Sequence, residues 1–299
     1  MNSNSNTVSR VSATSNIAFI GGGNMASALI GGLLQAGRIP ATVLVIEPDD
    51  RQRARLALQF GVLALPAADA HLTDVPLVVW AVKPQAFAAA ARPCAPWVNK
   101  ALHLSVMAGI RTDSLSAATG SQRVVRAMPN TPALVGLGVT GLYATAAVNG
   151  ADRAAAESVL KPSGELIWFQ RERDLDAVTA LSGSGPAYVY YFIEAMIQAA
   201  GEMGLTVEQG RSLALATFAG ATALARQSKD SPAVLRERVT SKGGTTYAAL
   251  MSLDNDAVKA AFVRALHAAR ERARSLGDEF GTAPAPKPTS AAPDPTPRP

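Results

Sequence analysis

The sequence predicts an α/β protein in which a doubly wound parallel sheet is followed by an all-helical domain. Three observations support this class. Short apolar runs alternate with longer helical patterns in the first half, a glycine-rich turn follows the first run, and strand-type runs disappear after about residue 174. The chain has 299 residues and 48% hydrophobic composition, which is enough for two domains. We therefore predict a sheet domain over residues 16–173 and a helical domain over residues 174–280.

The first half contains four apolar runs of the length that buried strands have. Predicted strands lie at residues 17–20, 43–46, 77–82 and 101–106, with predicted helices at residues 26–36 and 50–60. The runs are apolar throughout rather than alternating, as expected when helices cover both faces of a sheet. Strands that alternate with helices in this way pair in parallel.

The second half consists of helices whose starts are marked by capping residues. Predicted helices lie at residues 187–203, 207–226, 233–239 and 257–276. Thr206 and Gln209 have the spacing of a capping box, and Ser231 precedes Pro232, a residue favoured in the first helical turn. The helix at 187–203 is apolar on nearly every side, and a domain of this size has little interior in which to bury it. The surplus apolar surface predicts a partner subunit.

The two ends of the chain lack a pattern that could form a core. Residues 1–15 are rich in Ser, Asn and Thr, and residues 281–299 are rich in Pro and Ala. We predict disordered tails for both segments.

Composition disfavours several classes of function. The net charge is +5, but no block of five like charges occurs and aromatic residues make up only 5%, so we expect no nucleic-acid partner. The three histidines lack the spacing of metal ligands, and we expect no metal. Cys94 is the only cysteine, which indicates a reducing compartment and predicts a cytoplasmic protein.

The uncharged segment 17–34 contains the glycine-rich turn and has three possible interpretations. Gly21, Gly23 and Ala26 fit the pattern G-x-G-x-x-A between a strand and a helix, as in the Rossmann-type fold, where the helix amino end binds a dinucleotide pyrophosphate. Glu47 ends the second strand, where a carboxylate binds ribose hydroxyls. A membrane span or a signal peptide is the alternative, but the glycines and Asn24 interrupt the apolar run. The pattern favours a dinucleotide loop.

Four further segments carry a resemblance to a known family. They are AVKPQ at 81–85, RAMPNTPALVGLG at 126–138, TALSGSGPAYVYYFIEA at 179–195 and LRERVTSKGGTTYAALMSLD at 235–254. Together with the glycine loop they resemble pyrroline-5-carboxylate reductase, over about residues 17–276. The V-T-S-x-G-G-T-T pattern is specific to that family, whereas many oxidoreductases share the glycine loop.

The resemblance implies a fold, an assembly and a reaction. It implies an N-terminal NAD(P)H-binding Rossmann domain and an all-α dimerisation domain, with dimers that often assemble into a decameric ring. The reaction implied is hydride transfer from the nicotinamide to 1-pyrroline-5-carboxylate, which yields L-proline and is the last step of proline biosynthesis. We expect a small-molecule substrate and neither a nucleic-acid nor a membrane partner.

The residues expected at the cofactor come from the glycine motif and from the resemblance. They are Gly21, Gly22, Gly23, Asn24, Met25, Glu47, Ala81, Val82, Lys83, Pro84, Ala108 and Asn130. A carboxylate repels a 2′-phosphate and binds a ribose diol, so Glu47 favours NADH. The nearby Arg51 and Arg53 leave NADPH possible. Turn formation is the alternative role for Ala108 and Asn130.

The residues expected at the substrate lie mainly in one segment. By resemblance they are Ser241, Gly243, Gly244, Thr245, Thr246 and Glu172. Two glycines and a helix start suit a small carboxylate, and Thr246 is the expected catalytic hydroxyl near the imine nitrogen. The alternative for this segment is a simple helix–helix connection, and for Glu172 a solvated loop charge.

Two other functions remain open on the same sequence. One is a different imine or hydroxyacid reductase on the same scaffold, although a hydroxyacid enzyme needs a catalytic lysine in the helical domain and none is placed for it. The other is a nucleotide-binding protein without catalytic turnover.

Overall fold

A computed structural model describes residues 16–281, which form one eight-stranded sheet followed by a group of helices. The strands are β1 (Ile17–Ile20), β2 (Val43–Ile46), β3 (Leu63–Leu65), β4 (Leu77–Trp80), β5 (Leu102–Ser105), β6 (Val124–Met128), β7 (Gly138–Ala144) and β8 (Gly164–Trp168). The predicted tails lie outside the described residues, except that Gly281 ends the last helix.

Eleven α-helices accompany these strands within residues 16–281. They are α1 (Asn24–Gln35), α2 (Asp50–Phe60), α3 (Phe87–Val98), α4 (Thr112–Thr119), α5 (Gly150–Leu160), α6 (Asp174–Val178), α7 (Gly185–Glu202), α8 (Val207–Gln227), α9 (Pro232–Arg238), α10 (Thr245–Asn255) and α11 (Val258–Gly281). A π-helical turn, Thr179–Gly183, joins α6 to α7. The predicted fold class is confirmed, while the boundary at residues 173 and 174 stays a prediction.

The sheet has the strand order β3-β2-β1-β4-β5-β6-β7-β8. All neighbouring strands are parallel except β6 and β7, so the expectation of a wholly parallel sheet was incomplete. The reason is the short connection between Met128 and Gly138. A parallel crossover needs about a dozen residues or more, and this loop is too short for one. The strand order reverses at β1, which places a crevice between the carboxyl ends of β1 and β4.

The core consists of two apolar layers, one on each face of the sheet. Along β1, Ile17 and Phe19 point to one layer, and Ala18 and Ile20 point to the other. All four residues are nearly inaccessible to water. This explains why β1 is apolar throughout.

The helical half confirms the predicted capping residues. The Gln209 backbone N–H donates to Thr206 Oγ1 at 3.2 Å, and the Thr206 N–H donates to Gln209 Oε1 at 2.9 Å. Ser231 Oγ accepts from the Val234 N–H, and Pro232 is the first residue of α9. Each side-chain oxygen thus pairs a backbone N–H that a helix start leaves without an internal partner.

Helix α7 exposes large aromatic side chains to solvent in the single chain. Tyr190 and Tyr191 are 57% and 69% accessible. Similar exposure of large apolar side chains continues on α8, α10 and α11, at Leu213, Leu224, Met251 and Val263. An exposed apolar surface of this kind marks an interaction site. Across residues 16–281, no helix combines the length and apolarity that crossing a membrane requires.

Candidate active site

The glycine loop lies at the carboxyl end of β1, beside the point where the strand order reverses. The Gly21 N–H donates to the Ile46 carbonyl at 2.8 Å, and the Ala81 N–H donates to the Ile20 carbonyl at 2.8 Å. The ends of β2, β1 and β4 are therefore joined side by side. In open α/β sheets, ligands bind in the crevice at this position.

The three loop glycines have different physical roles. Gly21 has φ +94°, and a Cβ there would lie 2.8 Å from the Ala81 carbonyl oxygen. At Gly22 a Cβ would collide with the Leu56 side chain. Gly23, in contrast, is exposed and has no protein atom within 4 Å of a Cβ position. The fold itself thus requires the first two glycines, while the third leaves open space.

The open space lies at the amino end of α1. Gly23 is the residue before the helix, and no side chain caps this end. The first helical hydrogen bond runs from the Ser27 N–H to the Gly23 carbonyl at 2.9 Å, so the N–H groups of residues 24–26 precede it. Asn24 is exposed and Met25 half-buried. Free N–H groups and the positive end of the helix dipole suit a phosphate.

Glu47 is fixed against the glycine loop by two backbone donors. Its Oε2 accepts from the Gly22 N–H at 2.8 Å, and its Oε1 accepts from the Asp49 N–H at 3.0 Å. The nearby Arg53 donates to the carbonyls of Glu47 and Pro48, both at 2.8 Å, and also pairs with Asp50. A carboxylate therefore faces the glycine loop, and the Arg53 guanidinium is already bonded.

The other predicted cofactor residues follow the ends of β4, β5 and β6. Residues 81–84 follow β4: Ala81, Val82 and Pro84 are half-buried, whereas Lys83 is exposed. The half-buried Ala108 follows β5, in a loop that begins with the Val106 N–H bonded to the Trp80 carbonyl at 3.0 Å. Neighbouring parallel strands end at the same edge of a sheet. These segments and the glycine loop thus share one edge.

Asn130 follows β6 and connects two parts of the chain. Its Nδ2 donates to the Ser182 carbonyl at 3.1 Å, and its Oδ1 accepts from the Val139 N–H at 3.0 Å. Ser182 belongs to the π-helical turn, and turns of this type occur often at functional sites. The amide therefore holds the loop after β6 to the junction between the two halves.

An open apolar groove of about 580 Å³ borders Asn130. Its lining includes Pro132 from the loop after β6, together with Leu181, Tyr188, Phe192, Phe218 and Phe262 from the helical half. Edge-to-face contacts join the Phe262 ring to Tyr188 and Phe192, with both pairs of centroids 5.7 Å apart. The groove places the exposed face of α7 next to the loop that follows β6.

Glu172 is neither free nor solvated. Its Oε1 accepts from the Thr112 N–H at 2.9 Å and from Arg126 Nη1 at 3.2 Å, and its Oε2 accepts from Thr112 Oγ1 at 2.7 Å. The interpretation of Glu172 as a solvated loop charge is therefore wrong. Arg126 is 3% exposed and lies within 4.0 Å of Asp176. Burial raises the pKa of Asp176, although Arg126 and Arg111 oppose that rise.

This buried ionic cluster is absent from the sequence-based predictions. A signal was present, because Arg126 interrupts the otherwise apolar strand VVRAM. An arginine inside a buried strand requires acidic partners. The sequence gives no direct indication that Glu172 and Asp176, more than forty residues later, are those partners.

The predicted substrate segment forms a tight turn before α10. Gly243 has φ +76°, and a Cβ on Gly244 would lie 2.7 Å from Ser241 Oγ. Gly244 precedes α10, and no side chain caps the helix. Thr245 is exposed and Thr246 half-buried in the first turn. The segment therefore presents uncapped N–H groups and hydroxyls at one helix end.

A single protomer does not pack this turn against the glycine loop. Helix α10 packs mainly on α11, and none of its main packing partners belongs to the sheet. The described residues therefore form two separate candidate subsites, one at the amino end of α1 and one at the amino end of α10.

Comparison with known families identifies both halves of the chain. Residues 172–276 match the family described as pyrroline-5-carboxylate reductase dimerisation. Residues 16–109 match the family described as NADP oxidoreductase, coenzyme F420-dependent. The first match covers the exposed helices, and the second covers the glycine loop and the strands around it.

Individual relatives extend over nearly all of the chain. A pyrroline-5-carboxylate reductase of Pseudomonas aeruginosa is 42% identical over 271 residues, which are 90% of this chain and 99% of that protein. The solved enzyme from Coxiella burnetii is 35% identical with a TM-score of 0.80, covering 88% of this chain and 98% of that one. The enzyme from Plasmodium falciparum, solved with NADP bound, is 28% identical with a TM-score of 0.80, covering 89% and 99%.

Proposed function

The chain belongs to the pyrroline-5-carboxylate reductase family, and we propose that it catalyses the NAD(P)H-dependent reduction of 1-pyrroline-5-carboxylate to L-proline, the last step of proline biosynthesis. It is an oxidoreductase that acts on a cyclic C=N bond. The substrate combines a carboxylate with an imine, so the site must bind an anion and hold the ring against the nicotinamide.

The observation that carries this proposal is the pair of uncapped helix amino ends. The end of α1 faces open space at Gly23, and the end of α10 follows Gly243 and Gly244. An uncapped amino end binds anions through its N–H groups and its dipole. One end suits the dinucleotide pyrophosphate, and the other suits a small carboxylate.

At the first subsite, the residues around the glycine loop fit a dinucleotide. The N–H groups of residues 24–26 bind the pyrophosphate, and Glu47 accepts from a ribose hydroxyl. Ala81–Pro84, Ala108 and Asn130 border the part of the crevice assigned to the nicotinamide. When bound, the dihydronicotinamide supplies the hydride that reduces the C=N bond.

At the second subsite, the turn before α10 binds and orients the imine. Ser241 and the N–H groups of Thr245 and Thr246 bind the carboxylate, since the Gly244 N–H already donates to the Ser241 carbonyl at 3.0 Å. The Thr246 hydroxyl lies at the ring nitrogen. A protonated imine is already electrophilic: the ring carbon of the C=N bond, which is not the carbon that bears the carboxylate, would accept the hydride, and the nitrogen keeps its proton as it becomes an amine. Positioning then accounts for most of the rate, without a general base.

The two subsites meet across a subunit contact in this proposal. Within one protomer α10 packs on α11 and not on the sheet, while the dimerisation segment exposes apolar side chains on α7 and α8. A partner subunit placed on this face would bring its turn before α10 to the glycine loop.

We further propose that NADH is preferred over NADPH. NADP is the cofactor named for the family matched by residues 16–109 and for the Plasmodium structure. In this chain, however, the Glu47 carboxylate is held at the glycine loop by Gly22, and Arg53 is bonded to carbonyls and to Asp50. A 2′-phosphate would meet a negative charge there, and a ribose diol would meet an acceptor.

The proposal extends to the assembly beyond the dimer and to the cellular location. The match of residues 172–276 to the dimerisation family supports self-association. A decamer of five dimers is our proposal from the family resemblance alone. A cytoplasmic location agrees with the single, buried Cys94.

The direct test is oxidation of NADH and of NADPH in the presence of 1-pyrroline-5-carboxylate, with proline measured as the product. We expect stoichiometric proline and oxidised cofactor. A protein that binds the cofactor but oxidises neither form would be a non-catalytic nucleotide-binding protein. Turnover of another imine with no turnover of this one would assign a different reductase.

The substitution Thr246→Ala tests the second subsite. We expect kcat/KM for the imine to fall about 10- to 100-fold, because one hydrogen bond at the reacting nitrogen is lost. Affinity for NAD(P)H should remain unchanged. Ser252→Ala is the matched control, since it removes an exposed hydroxyl from the same helix away from its amino end. Normal efficiency in Thr246→Ala would remove this hydroxyl from the mechanism.

A further inference from the structure

We propose that Glu172 and Asp278 are positioning residues: one lies just before α6 and the other in α11, and these two carboxylates hold Thr112 and Arg111 and thereby set the position of loop 106–111 at the cofactor. The inference rests on the proposed function, because that function places the nicotinamide beside this loop. It gives Glu172 a role through the loop rather than through direct contact with the substrate.

Loop 106–111 lies next to the crevice because of the strand order. It leaves β5, the neighbour of β4, and it begins where the Val106 N–H bonds to the Trp80 carbonyl at 3.0 Å. It carries Ala108 and ends at Arg111, the residue before α4. The position of its backbone therefore depends on how Arg111 and Thr112 are held.

Glu172 holds Thr112 with both of its oxygens. One accepts from the Thr112 N–H at 2.9 Å and the other from the Thr112 hydroxyl at 2.7 Å. The buried Arg126 fixes the carboxylate from the strand side at 3.2 Å. A charged acceptor thus replaces a side-chain cap at the amino end of α4, where Arg111, the residue before the helix, provides none. This contact fixes the end of the loop.

Asp278 holds Arg111 from the last turns of α11. Arg111 Nη2 donates to Asp278 Oδ1 at 2.9 Å and reaches the Arg274 carbonyl at 3.5 Å. The absence of a side chain at Gly277 permits this approach, since a Cβ there would lie 2.8 Å from Arg111 Nε. The guanidinium therefore lies directly on the helix backbone.

The loop backbone contacts the same helix directly. Gly109 has φ +77°, and a Cβ there would lie 3.3 Å from the Leu276 carbonyl. Gly109 thus lies against Leu276, and Gly277, the next residue of the helix, lies against Arg111. Helix α11, which starts at residue 258 within the dimerisation segment, therefore ends against loop 106–111.

The test compares two substitutions in consecutive residues of α11. Asp278→Asn removes the charge that holds Arg111, and Glu279→Gln removes another exposed charge, one that pairs with Arg272 on the same helix. NAD(P)H affinity is measured by cofactor fluorescence, kinetics by kcat and KM, and stability by Tm. We expect Asp278→Asn to weaken cofactor binding about two- to fivefold with an unchanged Tm, and Glu279→Gln to leave both unchanged.

A second substitution moves the Arg111 guanidinium itself and leaves its partner Asp278 unchanged. Gly277→Ala places a methyl group against Arg111 and should weaken cofactor binding more than Asp278→Asn. Glu172→Gln should bind the cofactor more weakly than the wild type. Glu172→Asp keeps the charge, so its cofactor affinity should lie between those of Glu172→Gln and the wild type.

Fluorescence measures binding without turnover, so a failed reductase assay would contradict the proposed function and leave this inference testable. Wild-type cofactor affinity and kinetics in both Asp278→Asn and Gly277→Ala would overturn the inference.

Discussion

Glu47 shows how one side chain combines a structural and a functional role. It accepts a bond from the Gly22 N–H, which holds the glycine loop to the end of β2, and a second bond from the Asp49 N–H within its own loop. In the proposed function it also directs negative charge to the ribose position. Its position was predictable, because the carboxyl end of the second strand is fixed by the β-α-β pattern. The bonds from Arg53 to the carbonyls of residues 47 and 48 were not predictable, since they depend on a side-chain rotamer.

We predict that Glu47→Ser shifts cofactor preference towards NADPH. The ratio of kcat/KM for NADH to that for NADPH should fall about tenfold, because a repulsive charge at the 2′-phosphate is removed. Steady-state kinetics with NADH and with NADPH measure this ratio. Asp74→Asn is the control, because it removes an exposed negative charge that precedes β4, at the opposite edge of the sheet from Glu47. An equal shift in both variants would attribute preference to net charge instead.

His103 makes stability dependent on pH. It is fully buried, Trp80 Nε1 donates to its Nδ1 at 2.9 Å, and Nε2 lies 3.1 Å from the Val98 carbonyl, so the proton is on Nε2. Burial lowers its pKa to about 4; the Val98 bond opposes this and Arg123 adds to it. The folded state therefore prefers neutral imidazole.

The stability contributed by this preference should be present above pH 6.5 and be lost as the pH falls towards 4. The unfolded chain takes up the proton in that range and the folded chain does not, so the free energy of unfolding should decrease by up to about 3 kcal/mol. Urea unfolding at several pH values measures the slope. His103→Gln keeps an acceptor for Trp80 and should flatten the slope; an identical slope in that variant would contradict the assignment.

At the scale of elements, the strands and helices with periodic and uninterrupted sequence patterns were predicted best. The buried strands β1 and β2 match their predicted limits, as does α2. Strand β8 was missed because it lies at the sheet edge, where its side chains alternate between half-buried and exposed. Helix α3 was missed because it contains Pro93 and Pro96, which argue against a helix until tertiary packing of its buried face overrides propensity.

The connection between β6 and the π-helical turn depends on Asn130. We expect Asn130→Ala to lower the free energy of unfolding by about 2 kcal/mol, because the Ser182 carbonyl and the Val139 N–H both lose their partner. Thermal or urea unfolding measures it, with the exposed Asn99→Ala as the control. If Asn130→Ala lost only cofactor affinity and no stability, the predicted cofactor contact would account for the residue better than the connection does.

At the scale of the whole molecule, exposed apolar surface is concentrated in the helical half. The location of this apolar surface on α7 to α11 could be predicted from composition, since those helices have more apolar residues than one small domain can bury. The way in which two such surfaces fit together could not, because it depends on the shape of both.

We predict that Tyr191→Asp prevents self-association and abolishes reductase activity. The ring is 69% exposed on α7, and a charge would have to be desolvated at a subunit contact. Sedimentation velocity gives the association state. Leu58→Asp is the matched control, because Leu58 is 91% exposed on α2 in the sheet domain and should tolerate the charge. A Tyr191→Asp variant that still associates would place the contact elsewhere.

The return of α11 to the sheet domain has a mechanical consequence. The two halves are joined first around the chain junction at residue 174, where Asn130 bonds to Ser182 and Arg126 lies within 4.0 Å of Asp176. They are joined a second time where Leu276 and Asp278 rest on Gly109 and Arg111. An enzyme that closes by swinging two lobes needs a single flexible joint between them. Here a continuous helix of 24 residues braces the second joint, so a swing would have to break it. Entry of the substrate and exit of proline therefore depend on movement between subunits or of short loops, not on a hinge within the protomer.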